Sequence, residues 1–410
     1  MTSQGSLFFH FFFSVFFFHY MRYTFFMRHA FFPKIFFLFT ALFMTERIFA
    51  QDGELSQPQA LEQTVIRHEV YSYDSANLAL RLPEGNHLLV ISGPMDSYML
   101  GHLRNAMIAN PKALFSLDLT AVSALFDMDK EAFVGCKNLV SLIIPDGAMR
   151  IRWQCFTGCE NLTAIHASEN SDAFASFSGI LYDKTGGEVV VCPPGREGVV
   201  ELPLSLTSVR SGAFANASKV TAFSLAVKKE TYLQDGKEEE RLIENQYFSV
   251  RDGILYSKDM KRLVQFPGGK SGSIIIPNTV EVIGKEAFAY GGRVTAVEIP
   301  ESVRIIEKMA FGYCSALQTV QLPAGLVSIG KQAFVWCTSL GQVFIPSSVT
   351  YLGSRAFFKS SLAAVTFENA DGWTFGKKIL VDLTNPQENA EKFRHPGKYW
   401  FLDLYRAEQQ

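Results

Sequence analysis

The chain has 410 residues, with 38 basic against 40 acidic side chains and 37 phenylalanines. The first fifty residues hold Arg22, Arg28, Lys34 and Arg47 but only one acid, Glu46; the rest carries 34 basic and 39 acidic residues. A mildly acidic surface does not draw nucleic acid or anionic lipid as a whole, and a chain of this length is either two or three domains or one elongated body.

Residues 1–50 read as a targeting segment. Met27-Arg28-His29 and Lys34 make a basic start, Ile35 to Met44 is apolar apart from Thr40, and Thr45 to Ala50 leads to Gln51. That order is a secretory signal peptide with cleavage expected after Ala50. The apolar run is short for a membrane span. A second Phe-rich block, Phe8 to Phe18, lies upstream, so translation is expected to start at Met21 or Met27; the rival is an uncleaved N-terminal anchor. No Cys follows the run, which argues against a lipid-anchored start.

Residues 51–114 read as an N-terminal cap region. Asp96 is placed to cap a helix, Leu100, Leu103 and Met107 fall at helical spacing, and Asn110-Pro111 ends it.

From 115 to 370 a period of 23 dominates. Ala287-Phe288, Ala310-Phe311, Ala333-Phe334 and Ala356-Phe357 recur at that spacing, and Pro277, Pro300, Pro323 and Pro346 keep step. Phe133, Phe156 and Phe214 supply three more copies. Eight before each Phe stand Leu125, Ala148, Leu206, Val280, Val303, Leu326 and Val349; five before stand Met128, Ile151, Val209, Ile283, Ile306, Ile329 and Leu352. After it comes Leu317-x-x-Val320-x-Leu322, a short strand with one face inward, ended by a proline that has no amide proton to donate. One such coil cannot bury its apolar face alone, so neighbours must stack, at roughly 4.8 Å per strand. The fold class is an α/β-type repeat solenoid, a leucine-rich-repeat array of short strands and turns.

Two insertions, about 168–203 and 226–277, interrupt the array and resemble each other. Gly179-Ile180-Leu181-Tyr182 and Gly253-Ile254-Leu255-Tyr256 lie 74 apart, as do Pro203 and Pro277. Each reads as a hairpin. The charged run Lys228 to Glu244 inside the second reads as a solvated loop. Residues 371–410 are expected to cap the far end, with Trp373, Trp400 and Phe401 sealing it.

The motif Val303-x-x-Ile306-x-x-x-Ala310-Phe311-x-x-Cys314-x-x-Leu317-x-x-Val320-x-Leu322-Pro323, with its copies, resembles the BspA-like leucine-rich repeat family of bacterial surface proteins. The Gly-Ile-Leu-Tyr hairpins also occur in that family. The flanks, with Leu114-Phe115-Ser116-Leu117-Asp118-Leu119 on one side and Trp373, Asp382-Leu383-Thr384-Asn385-Pro386 and Asn389-Ala390 on the other, are similar to treponemal members. The resemblance implies a non-enzymatic surface adhesin that contacts a host extracellular-matrix or neighbouring-cell protein. The alternative is a periplasmic structural or interaction protein, and an enzyme is a distant third.

Catalytic and metal chemistry finds little support. Cys136, Cys159, Cys314 and Cys337 all stand three after the column Phe, where Ala217, Gly291 and Ser360 stand elsewhere; the column wants a small inward residue. Stacked Cβ atoms about 5 Å apart exceed the roughly 3.5–4.5 Å of a disulfide, so buried free thiols are expected. Cys155 sits in the Ala column, and Cys192, outside both columns, is expected to be exposed. A metal site from Cys155, Cys159 and His166 is disfavoured, because the cysteines are explained by their columns and His166 points outward. Gly268-Gly269-Lys270-Ser271 lacks the earlier glycine of a phosphate loop, position 264 being Val. No cofactor and no small-molecule substrate is implied.

The binding surface is expected on two columns. One is the outward strand position, Ile143, His166, Ser224, Glu298, Gln321, Phe344 and Thr366, with Phe344 an apolar anchor. The other, two after the Phe, reads Tyr290, Tyr313 and Trp336; Gly135 and Gly158 hold it in the first coils, and family members often have Gly there. Stacked aromatics there form either a contact stripe or padding on the turn side. Lys285, Lys308 and Lys331 form a basic column that reads as a solvated face.

Overall fold

The computed structural model describes residues 63–69, 84–234, 237–375, 379–395 and 403–406. The targeting segment expected over 1–50, and Trp400 and Phe401, expected to seal the far end, lie outside the described residues.

Each coil has three sides. The first is the strand read from the sequence. Gly272–Ile275, Val294–Glu298 and Thr319–Gln321 pair in parallel, in register one coil apart, as do Gln342–Ile345 and Ala364–Phe367. The proline that follows begins a turn rather than merely ending a strand: Val303 N donates to Pro300 O at 3.0 Å and Leu326 N to Pro323 O at 3.0 Å. The second side is a two-residue parallel strand at the Ile column, Val282–Ile283, Ile305–Ile306, Ser328–Ile329 and Tyr351–Leu352. Two residues with no alternation leave no readable signal, and this side is absent from the sequence reading. The third side, around the Phe, is a ladder of another kind. Glu286, Phe288 and Tyr290 donate to the carbonyls of Lys308, Ala310 and Gly312 at 3.1, 2.7 and 2.8 Å, and the next coils repeat the pattern.

The solenoid is built of strands and turns with little helix, which corrects the α/β description. The two described α-helices, Ser97–Ile108 and Pro386–Arg394, stand at the ends and not within the repeats. A 23-residue coil spends its length on three ladder sides and three corners, which leaves room for no more than a short turn such as the 3-10 turn Trp153–Phe156.

Phe288, Phe311, Phe334 and Phe357 stack along the interior, with ring centroids 4.8, 5.0 and 5.3 Å apart and near-parallel planes. All four are buried. Each such side chain contributes roughly 1.5–3 kcal/mol by leaving water. Phe133 and Phe156 stack likewise at 6.0 Å.

Each insertion is a three-stranded meander rather than a hairpin. Phe174–Phe177, Ile180–Asp183 and Glu188–Val191 run antiparallel, and Phe248–Arg251, Ile254–Ser257 and Arg262–Gln265 repeat them 74 residues on. The third strand of each pairs in parallel with the short strand of the next coil, Ser208–Val209 or Val282–Ile283. The insertion therefore takes up the coil's ladder and passes it on. Phe266 then stands in the interior stack, 4.7 Å from Phe288. Its counterpart 74 residues earlier is Cys192, and the matching amides donate alike, Cys192 N to Ala213 O at 2.8 Å and Phe266 N to Ala287 O at 2.7 Å. Cys192 is thus a core residue in the Phe column and is buried, against the expectation of exposure.

The charged run is also ordered. Lys228–Gln234 and Lys237–Ile243 form an antiparallel hairpin, with Arg241 bound to Glu230 at 2.5 Å and Lys229 to Glu240 at 3.3 Å. Its cross-strand pairs of opposite charge stabilise it locally.

Both ends are closed by amide side chains. Met99 N donates to Asp96 Oδ1 at 2.9 Å, which starts helix Ser97–Ile108. Asn138 of the first coil donates to Met107 O and Asn110 O at 2.8 and 2.9 Å, tying that coil to the helix end. At the other end Asn389 of helix Pro386–Arg394 donates to Val365 O at 3.1 Å and Leu383 O at 2.8 Å. Leu404–Arg406 pairs antiparallel with Tyr351–Leu352 and covers the short-strand edge. Trp373 is fully buried there, its indole N–H on Asn369 O at 3.1 Å. Open ladder edges invite further pairing; Leu404–Arg406 blocks the short-strand edge at the far end, whereas the N-terminal strand ladder runs on in parallel through Ala113–Asp118, Gly85–Pro94 and Gln63–Glu69.

Candidate binding face

The column two after the Phe turns on backbone conformation. Tyr290, Tyr313, Trp336 and Lys359 have φ of 64°, 62°, 59° and 60°. Gly135 and Gly158 take the same place with φ of 80° and 81°. A left-handed turn favours glycine, because a Cβ crowds the following carbonyl at a cost of about 1–2 kcal/mol. Four successive coils nonetheless place large side chains there.

Those side chains are ordered into a ridge. Tyr290 stacks on Tyr313 at 4.7 Å with planes 5° apart, and Tyr313 on Trp336 at 6.2 Å and 11°. The Lys359 ammonium lies 5.9 Å from the Trp336 ring centre. At the opposite end Trp153 meets Tyr290 edge-on at 5.5 Å. Trp153 comes from two coils away and crosses the intervening coil at Gly212. Neither Trp153 nor Lys359 belongs to the sequence-level stripe, since neither is an aromatic in the right column. Tyr313 is 37% and Trp336 42% exposed; Tyr290 is half-buried, and burial beside Tyr313 pushes its phenol pKa up.

The strand column lies on another side of the coil. Phe344 is 52% exposed, and Glu298 and Gln321 beside it are exposed. Ile143, His166, Ser224 and Thr366 are half-buried. Ile275 pairs with Glu298 in this same column and is 71% exposed. It sits in the strand leaving the insertion, where the 23-residue frame is broken and the sequence carries no column signal. The two candidate columns do not form one patch; they face away on different sides.

The lysine column lies three before the Phe, on the ridge's side. Lys285, Lys308 and Lys331 are all exposed, and Lys331 pairs with Asp403 at 3.1 Å. Two nearby carboxylates are engaged: Glu286 accepts from Ser211 Oγ at 2.6 Å, and Glu307 binds Arg262 at 2.8 Å and the Lys285 amide at 2.9 Å.

The cysteines form an internal ladder. Cys159, Cys314 and Cys337 Sγ donate to the Phe carbonyls of the preceding coil, Phe133, Phe288 and Phe311, at 3.0–3.1 Å. All six are free and buried. Burial raises the thiol pKa of Cys136, Cys192 and Cys337 to about 12. Neutral thiols of this kind are poor nucleophiles and poor metal ligands. His166 is half-buried, which lowers its pKa.

The repeat matches a known family model. A model of the BspA type leucine-rich repeat region matches in six copies, over residues 117–178 and 265–378. No curated protein matches the chain. Among solved structures, the chain is similar to the pneumococcal vaccine antigen PcpA at 15% identity, over 78% of this chain and 75% of that one, with a TM-score of 0.42. It is similar to a leucine-rich cell surface protein of Faecalibacterium prausnitzii at 15% identity, over 75% and 84%, with a TM-score of 0.40. A leucine-rich repeat protein of Bacteroides capillosus is 30% identical over 30% of this chain and 95% of that one, with a TM-score of 0.24.

Proposed function

We propose that the chain, which carries BspA type leucine-rich repeats over residues 117–178 and 265–378, is an exported adhesin-like protein-interaction module that binds a partner protein at the cell surface. The observation that carries the reading is the ridge Tyr290–Tyr313–Trp336, large aromatics held at backbone positions that glycine fills at lower cost. Folding needs a left-handed residue there and gains no buried core from an exposed ring. Binding gains an ordered aromatic surface, and Tyr and Trp lead among residues that carry interface energy. On the strand side Phe344 and Ile275 are separate exposed apolar residues, with Glu298 and Gln321 between them in the column. A host extracellular-matrix or cell-surface protein is the proposed partner class, and the segment before Gln51 is the proposed export signal.

Protease treatment of intact cells tests the location, with a periplasmic protein as control. Loss of the repeat protein while the control survives is the expected result. Protection of both until the outer envelope is opened would replace the adhesin reading with that of a periplasmic interaction protein.

A further inference from the structure

The ridge and the lysines beside it share one electrostatic character. In the stack Tyr290–Tyr313–Trp336 the ring faces are turned to one another, 4.7 and 6.2 Å apart, and the two ends are taken by Trp153 and the Lys359 ammonium. What the stack offers to solvent is ring edges and polar tips. An aromatic ring is negative on its face and positive at its edge. Recognition that lays a flat group on a ring face, as a sugar does, has no free face here. The outward edges favour oxygen atoms of negative character.

The lysine column adds full charge of the same sign. Lys285 and Lys308 are exposed and form no ion pair among the described residues. Of the carboxylates around them, Glu307 is neutralised by Arg262 and Asp403 by Lys331, while Glu286 is bound to the Ser211 hydroxyl and keeps its charge at the Tyr290 end of the ridge. Ladder bonds fix the two columns on one side of the coil, from Glu286 to Lys308 and from Tyr290 to Gly312. The columns advance together by one coil per ladder step, about 4.8 Å.

We infer that this side, from Lys285 to Lys359, docks an acidic polypeptide segment of the partner, laid along the solenoid axis. The inference rests on the protein-binding reading above and names the chemistry of the partner. Carboxylates meet the ammonium groups of Lys285 and Lys308, while side-chain carbons and carbonyl oxygens of the segment lie against the edges of Tyr313 and Trp336. The hairpin Lys228–Ile243 and the strand column at Phe344 take no part.

The test is a calorimetric titration of the full chain with a glutamate-rich synthetic peptide, with a lysine-rich peptide and a heparin oligosaccharide as controls. Two variants accompany it. One carries Tyr290→Gly, Tyr313→Gly and Trp336→Gly, which put the residue that tolerates a left-handed turn in place of each ring. The other carries Lys285→Gln and Lys308→Gln, which leave the backbone and the stack as they are. The expected result is saturable binding of the acidic peptide that weakens with salt. Each variant should weaken it at least about tenfold. Should the glycine variant lose its fold, the lysine variant still decides the question. Absence of saturable binding, equal binding of the lysine-rich peptide, or unchanged affinity in a folded variant would overturn the inference. Heparin binding without acidic-peptide binding would overturn it in favour of an anionic glycan. Failure here leaves the cell-surface location untouched, since that is read by protease on cells.

Discussion

Trp153 occupies the space that a side chain on Gly212 would fill. A Cβ on Gly212 would collide with the indole ring at Nε1, and Gly212 itself has φ of +77°. The missing side chain lets an aromatic ring from the coil of Phe156 pass over the coil of Phe214 and reach Tyr290 on the coil of Phe288. One glycine thus joins the N-terminal coils to the C-terminal aromatic ridge across an insertion.

Gly212→Ala should therefore do more than strain a left-handed residue. Strain alone costs about 1 kcal/mol; displacing the indole adds the loss of its packing. Trp153→Ala removes the obstruction. Denaturant unfolding of the two single variants and the double variant measures the coupling, expected to exceed about 0.5 kcal/mol and to favour the double variant. Strict additivity would mean that the indole moves aside at no cost and that the bridge is incidental.

Core and ridge should separate cleanly under substitution. Phe311→Ala opens the interior stack between Phe288 and Phe334 and should cost about 3–5 kcal/mol. Trp336→Ser and Phe344→Ser delete exposed rings and should each stay within about 1 kcal/mol of the parent. Thermal or denaturant melts of the three decide it. A folded Phe311→Ala beside an unfolded Trp336→Ser would reverse the assignment of inside and outside.

The terminal helix makes a similarly narrow prediction. Asn389 is buried and supplies both hydrogens of its amide, to Val365 O and Leu383 O. Asn389→Ala leaves both carbonyls unpaired and should cost about 1–3 kcal/mol. Hydrogen exchange should show the loss first in Ala364–Phe367, the last long strand. Protection lost first in an interior strand would mean that the helix is not what closes this end.

What the sequence made legible follows its periodicities. The 23-residue frame placed the Phe column, the inward Leu and Val positions and the cysteine column, because each is an apolar demand repeated many times. The short strands at Ile283 and Ile306 were not legible, since two residues carry no alternation. Cys192 was misplaced because the insertion shifts the frame; only the 74-residue offset to Phe266 identifies its position, and a cysteine does not advertise a phenylalanine slot. The hairpin Lys228–Ile243 was hidden by its charge, which on a two-sided exposed ribbon mimics a loop. For the candidate face, the aromatic column was visible and its left-handed backbone was hinted at by Gly135 and Gly158. Trp153 was out of reach, for its contact depends on a glycine nearly sixty residues away.

The cysteine ladder should make stability fall in alkali. For Cys337, burial raises the thiol from an ordinary value near 9.0 to about 12. A raised pKa in the folded state means that the unfolded chain gives up its proton first. The thiol's contribution is then whole below about pH 9 and is lost as pH rises towards 12. Lysines and tyrosines also titrate in that range, so the comparison must be with a variant and not with neutral pH alone. Cys337→Ala, which fits the same small column that holds Ala217, should melt lower than the parent at pH 7 and lose less of its melting temperature between pH 8 and 10. The folded parent should also resist alkylation at pH 8 and react once unfolded. Rapid labelling of the native protein, or parallel melting curves for parent and variant across that range, would show that these thiols are not held as neutral donors to the Phe carbonyls.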